Sequence, residues 1–158
     1  MSGGPDVSNL TPQDAVVALR SFPRRFAAVL ALDEGEDESV LAPAIEETDR
    51  AGRDLAVLAA AVDTALVRDE AVLHPAVTDA SARAYPDVGE VDAESAFDLL
   101  RLEAEALAER VEHVSPDAWN RKAKVAGGGA MAAVDVLREA IRATAAHLHE
   151  AERARGRR

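Results

Sequence analysis

Apolar positions along this chain recur at intervals of three and four, the spacing that lines one face of an α-helix, and they do so in four separate blocks. The first opens at Thr11-Pro12-Gln13-Asp14, with Thr11 as N-cap, Pro12 at the first helical position and Asp14 reaching back as in a capping box. Its stripe is Ala15, Leu19, Phe22, Phe26, Val29 and Leu30, and Pro23 is expected to kink or split it. The acidic run Asp33 to Glu38 then reads as a solvated loop, because like charges this dense repel and Gly35 breaks the period. A second block spans about Ile45 to Leu73, with Ile45, Leu55, Leu58, Val62, Ala65 and Val72 inward and His74-Pro75 as its stop.

Residues 74–90 form a long connection punctuated by Pro75, Pro86 and Gly89, with Tyr85 as an anchor onto the core. Asp92 caps the third block, whose stripe Phe97, Leu100, Ala104, Leu107, Val111 and Val114 is the most regular in the chain. Ser115-Pro116-Asp117 ends it and starts a short turn carrying Trp119. After Gly127-Gly128-Gly129 the fourth block buries Met131, Val134, Leu137, Ile141, Ala145 and Leu148, and Gly156 closes it. No stretch shows the strict alternation of a half-buried strand. The pattern therefore predicts an all-α protein, an antiparallel up-and-down four-helix bundle without a sheet. Residues 1–10 are expected to be a flexible arm, and 11–156 a single domain with a long connection between helices two and three.

Composition narrows the functional classes. The chain has 158 residues, and its 35 alanines among only five aromatics describe a helix former with little apolar area per residue, hence a thin bundle and a homodimer. A formal charge of −11 argues against nucleic acid and anionic membrane surfaces as partners. Without cysteine there is no disulfide, thiolate nucleophile or cysteine-bound metal. The first residues lack the charge and apolar run of a signal peptide and no window is long enough to span a bilayer, so the expected location is cytoplasmic.

The candidate chemistry rests on few residues. His74 precedes a proline at a helix end and His113 sits in the last turn of helix three, so both read as solvent-facing end residues. His147 and His149 lie roughly 200° apart around a helix axis and cannot share one ion; His147 flanks the apolar face and His149 points outward. Trp119 and Arg121 are candidate binding residues at the edge of a pocket, although packing Trp119 over an open bundle end also satisfies it. The triple glycine lacks the Lys-Ser/Thr ending of a phosphate-binding loop and reads as a flexible approach to helix four. The acidic run 33–38 lacks calcium-loop order, and no serine sits in a nucleophile elbow. The terminal Arg153, Arg155, Arg157 and Arg158 complement the negative end of helix four.

The segment from Trp119 to Arg153, with its Trp-x-Arg turn, glycine loop and long helix ending in histidines, resembles the C-terminal part of DinB-like bundle proteins, including the actinobacterial mycothiol-dependent maleylpyruvate isomerase relatives. The Thr-Pro start, Leu73-His74-Pro75 and Tyr85 agree more loosely. That resemblance implies a divalent metal, zinc or nickel, held by one ligand on helix two and two on helix four beside a thiol cofactor, mycothiol. Here Val57-Leu58-Ala59-Ala60-Ala61 stands where the helix-two ligand is expected, and Ala143 stands one turn before His147. Only His147 matches, with Glu139 and Glu150 as distant substitutes. The expectation is thus a degenerate site without metal or cofactor, with Trp119, Arg121 and His147 as binding residues, in a non-catalytic protein that binds a small molecule or acts as a dimeric interaction protein. The alternative is a thiol-dependent S-transferase or isomerase.

Overall fold

The computed structural model describes residues 5–85 and 90–156. Four helices account for most of them: α1 Pro12–Leu30, α2 Glu38–Val67, α3 Ala93–Glu112 and α4 Ala133–Gly156. Helix α1 begins as its sequence dictates, with the Thr11 hydroxyl accepting from the Asp14 amide and the Asp14 carboxylate accepting from the Thr11 amide. It continues unbroken through Pro23 and buries all six residues of its expected stripe. Asp92 caps α3 by accepting from the Ser95 amide.

Helix α2 starts earlier than the pattern indicates. Asp37 is its N-cap and Glu36 is held by Arg155 of α4, so the acidic run is part cap and part ion pair rather than a free loop. The helix also ends earlier, at Val67. Residues 72 and 73 instead form strand β1, Val72–Leu73, which leaves Val72 exposed and Leu73 buried.

The expectation of no sheet is corrected by β1 together with β2 Lys122–Val125 and β3 Ala130–Ala132. Strand β1 runs parallel to β2, pairing Val72 with Lys124, and β2 runs antiparallel to β3, pairing Lys122 with Ala132. The alternation is present in Lys122-Ala123-Lys124-Val125, lysines out and apolar residues in, but it spans only four residues. The triple glycine forms the hairpin tip between β2 and β3, where Gly127 takes φ +78°, a conformation that suits a residue without Cβ. It does not lead directly into a helix: α4 begins after β3, and Met131 belongs to that strand.

One apolar core draws on all four helices, centred on Leu19, Phe22, Phe26, Leu55, Leu58, Leu100, Leu137 and Leu148. Helix α2 packs against α3 and α4, and α1 packs against the same two. On α3, Ala96 and Ala108 join Leu100, Ala104, Leu107 and Val111 inside, whereas Phe97 lies half-buried on the flank, as does Val114 just beyond the end of the helix. On α4 the buried face is rotated from the expected one. Val136, Ala140, Ala143 and Ala151 are buried beside Leu137, Ile141 and Leu148, while Val134 and Ala145 are only partly covered. His147 falls in the gap of that rotated row, between Ala143 and Ala151.

Before α1, Val7 and Leu10 pack against the core, and the Leu10 carbonyl accepts from Arg138 Nε at 2.9 Å. Pro86 and Gly89 of the connection, and Arg157 and Arg158, lie outside the described residues. No described helix is long and apolar enough to cross a membrane.

Candidate functional site

The polar residues that meet inside the fold come from three segments. Glu47 and Asp54 lie seven apart on α2, two turns and one face. Glu139, Arg142 and His147 come from α4, and Arg83 and Tyr85 from the connection before α3. Packing α2 on α4 sets the His147 ring between the two α2 carboxylates. Its Nδ1 is 2.8 Å from Glu47 Oε1 and its Nε2 is 2.9 Å from Asp54 Oδ2. An ionised carboxylate only accepts, so both ring nitrogens donate and the ring is an imidazolium. Burial alone would lower its pKa, but the hydrogen bonds and charges of Asp54 and Glu47 outweigh that and raise it to about 9.

Asp54, with a side chain only 3% exposed, is the hub. Its other oxygen accepts from the Tyr85 hydroxyl at 2.9 Å, and Arg83 Nη1 lies 3.8 Å away. Burial, then the charge of Asp54, pushes the Tyr85 phenol up to about 12, which keeps it a neutral donor. The Arg50 guanidinium sits 5.1 Å from the centroid of the Tyr85 ring.

Arg83 ties the connection down. Its Nε donates to the Ala76 carbonyl at 2.7 Å, and its Nη2 to the Val77 carbonyl at 3.0 Å and to Glu139 Oε2 at 2.7 Å. Nη1 is buried without a hydrogen-bond partner. Arg142 grips Glu139 through two bonds of 2.8 and 2.6 Å. Burial would raise the Glu139 pKa, yet Arg142 and Arg83 hold it below the usual value.

The residues singled out in the sequence are not brought together. His147 is in the cluster. Trp119 is buried in a short 3₁₀ turn, Pro116–Asn120, and lines a cleft of about 560 Å³ edged by the N-terminal turns of α1 and α4 and the end of α3. Arg121 is in neither place, since it pairs with Asp69 at 2.9 Å beyond the C-terminus of α2. Arg138, not Arg121, is the cation lining the Trp119 cleft. Of the substitute ligands, Glu139 joins the cluster through the arginines, while Glu150 pairs with Arg153. His74 caps a 3₁₀ turn through Nδ1, and His113 bonds to the Glu109 carbonyl at the end of α3, the end positions their sequence indicates.

Sequence reading placed the α2 partner of His147 at 57–61, but the groups that meet it are Glu47 and Asp54, one to three turns earlier. A signal was present. Asp54 lies next to Leu55 and one turn from Ala51 and Leu58, so a carboxylate interrupts an inward face. Arg83 carried no such mark, being one arginine in an irregular segment.

The zinc or nickel ion implied by the resemblance does not fit this donor set. A ligating imidazole must offer a lone pair, and both nitrogens of His147 are occupied as donors to carboxylates. Among the described residues, no group of three or more histidine, aspartate and glutamate side chains is arranged to hold a metal. No protein-family profile, curated protein or solved structure matches this chain.

Proposed function

We propose that this chain is a DinB-like bundle protein that binds a small molecule without catalysing its conversion, and that an ion-paired imidazolium stands where its suggested relatives hold a metal. The pairing of both His147 nitrogens with α2 carboxylates carries this reading. The cluster spends its charges on itself: Glu47 and Asp54 on His147, Glu139 on Arg83 and Arg142. A general base or metal ligand at His147 would first have to shed a proton held to about pH 9 and then displace a carboxylate.

Helix directions support a bundle that mixes both senses rather than a strictly antiparallel one. Gly52 of α2 abuts Leu99 and Leu100 of α3, and Asp63 further along α2 pairs with Arg110 further along α3, a parallel progression. Glu36 pairs with Arg155 and Asp54 with His147, an antiparallel progression between α2 and α4. Two consecutive parallel helices need a connection that returns along their length. That is the task of the chain between Val67 and Ala93.

The test is metal titration of the purified protein beside NMR of the His147 ring. The expected result is no stoichiometric zinc or nickel after dialysis, and a ring that stays protonated at pH 7.5 and titrates near pH 9. Near-stoichiometric metal lost on His147→Ala would overturn the proposal in favour of a thiol-dependent transferase or isomerase.

A further inference from the structure

We infer that the cleft over Trp119 is a binding site for a small apolar carboxylate, with the acid group held by Arg138. This deepens the small-molecule reading above but uses different residues, about 13 Å along α4 from His147. The cleft, about 560 Å³, is within the range of small-molecule sites. Val16, Val111, Val114, Val134 and Trp119 give it an apolar lining that the core leaves only partly covered at Val16, Val114 and Val134. That lining suits an aliphatic chain or an aryl ring.

An unpaired donor then selects the head group. Two charged side chains line the cleft, Glu112 and Arg138, and each has an ion-pair partner, Arg20 for Glu112 and Asp135 for Arg138. Arg138 is held in place by its Nε bond to the Leu10 carbonyl and its Nη1 bond to Asp135, both 2.9 Å, and its Nη2 bonds to none of the described residues. A guanidinium oriented by two fixed bonds with a third nitrogen to spare is a preorganised carboxylate receptor.

Trp119 is the single tryptophan, so its fluorescence reports this cleft alone. The probe is 4-phenylbutyrate, compared with 4-phenylbutanol and 4-phenylbutylamine, with NMR of the Val16 and Val134 methyls and the His147 ring recorded in the same titrations. The expected result is a saturable change in Trp119 emission with the carboxylate, at least tenfold weaker for the alcohol and amine, that moves both methyls and leaves His147 unmoved. Arg138→Gln should erase the tenfold preference and Arg138→Lys should restore most of it, with unchanged circular dichroism marking both as folded. Because Arg138 also anchors Leu10, Val134→Arg provides a second test by filling the cleft, and should abolish the emission change. Equal affinity for all three probes, or preference for the amine, would overturn the proposal. A carboxylate that perturbs His147 but not the methyls would overturn this site while leaving the small-molecule reading standing; silence at both positions would remove the two together.

Discussion

Asp54 is the residue on which the buried polar order of this protein turns. One carboxylate accepts from Tyr85, faces the His147 imidazolium and lies beside Arg83, three groups from two segments brought together on α2. Replacing it by asparagine keeps the shape but leaves the imidazolium and a buried guanidinium short of an anion. Asp54→Asn should therefore lose roughly 3 kcal/mol of stability in urea denaturation, as for other broken buried pairs, and the His147 pKa should fall toward its ordinary value. The pH dependence of the parent follows from the same geometry. His147 has its pKa raised from 6.5 to about 9, so its stabilisation is complete below about pH 6.5 and is lost as pH rises through 9. Its size is roughly 3 kcal/mol at 1.4 kcal/mol per tenfold change in affinity for the proton. Glu139 acts in the opposite sense: its pKa is lowered, so its contribution is present above about pH 4.5 and is lost as pH falls through the lowered value. Denaturation midpoints measured from pH 4 to 10 should be highest near pH 5 to 6.5 and fall on the alkaline side, and the alkaline fall should shrink in Asp54→Asn.

Helices α2 and α3 approach closely because position 52 is glycine. A Cβ built there would lie 2.7 Å from Leu99 Cγ and 3.1 Å from the Leu100 amide nitrogen. Leu99 can swing aside, but the Leu100 backbone moves only with its helix. Alanine improves helix propensity by about 1 kcal/mol, while overpacking of this kind costs about 1–3 kcal/mol. The balance goes to the clash: Gly52→Ala should be net destabilising by about 1–2 kcal/mol in chemical denaturation, although the same change at an exposed helical glycine would stabilise. A neutral or stabilising result would mean that the two helices can separate without loss. The half-buried Phe97 follows from the same closeness, since the small Ala96 and Ala93 occupy the interior side of the first turns of α3 and the larger ring is turned to the flank.

The whole molecule is an acidic body with large apolar side chains left uncovered on three of the described helices, Val17 on α1, Val40, Val57 and Val67 on α2 and Leu102 on α3. We propose the homodimer expected from the composition: sedimentation equilibrium should give twice the chain mass, and Val67→Glu with Leu102→Glu should shift it to the monomer. Sequence alone determined the local part of this protein: the start of α1 through Thr11, Pro12 and Asp14, the start of α3 through Asp92, and the buried stripe of α1, because caps and periodicity act within a turn or two of chain. It determined less where a cap lay inside an apparent charge run, as Asp37 does, or where alternation was too short to stand out, as in Lys122-Ala123-Lys124-Val125. Only the tertiary structure decided the site. His147 meets Glu47 and Asp54 across 100 and 93 residues of chain, and Arg83 meets Glu139 across 56. Each meeting depends on how far one helix is rotated and slid against another, and a shift of one residue turns a side chain by about 100°. A histidine in the sequence is therefore a base, a ligand or a salt-bridged cation until packing chooses its neighbours. Here packing placed a carboxylate on each side of the ring, which made it a cation.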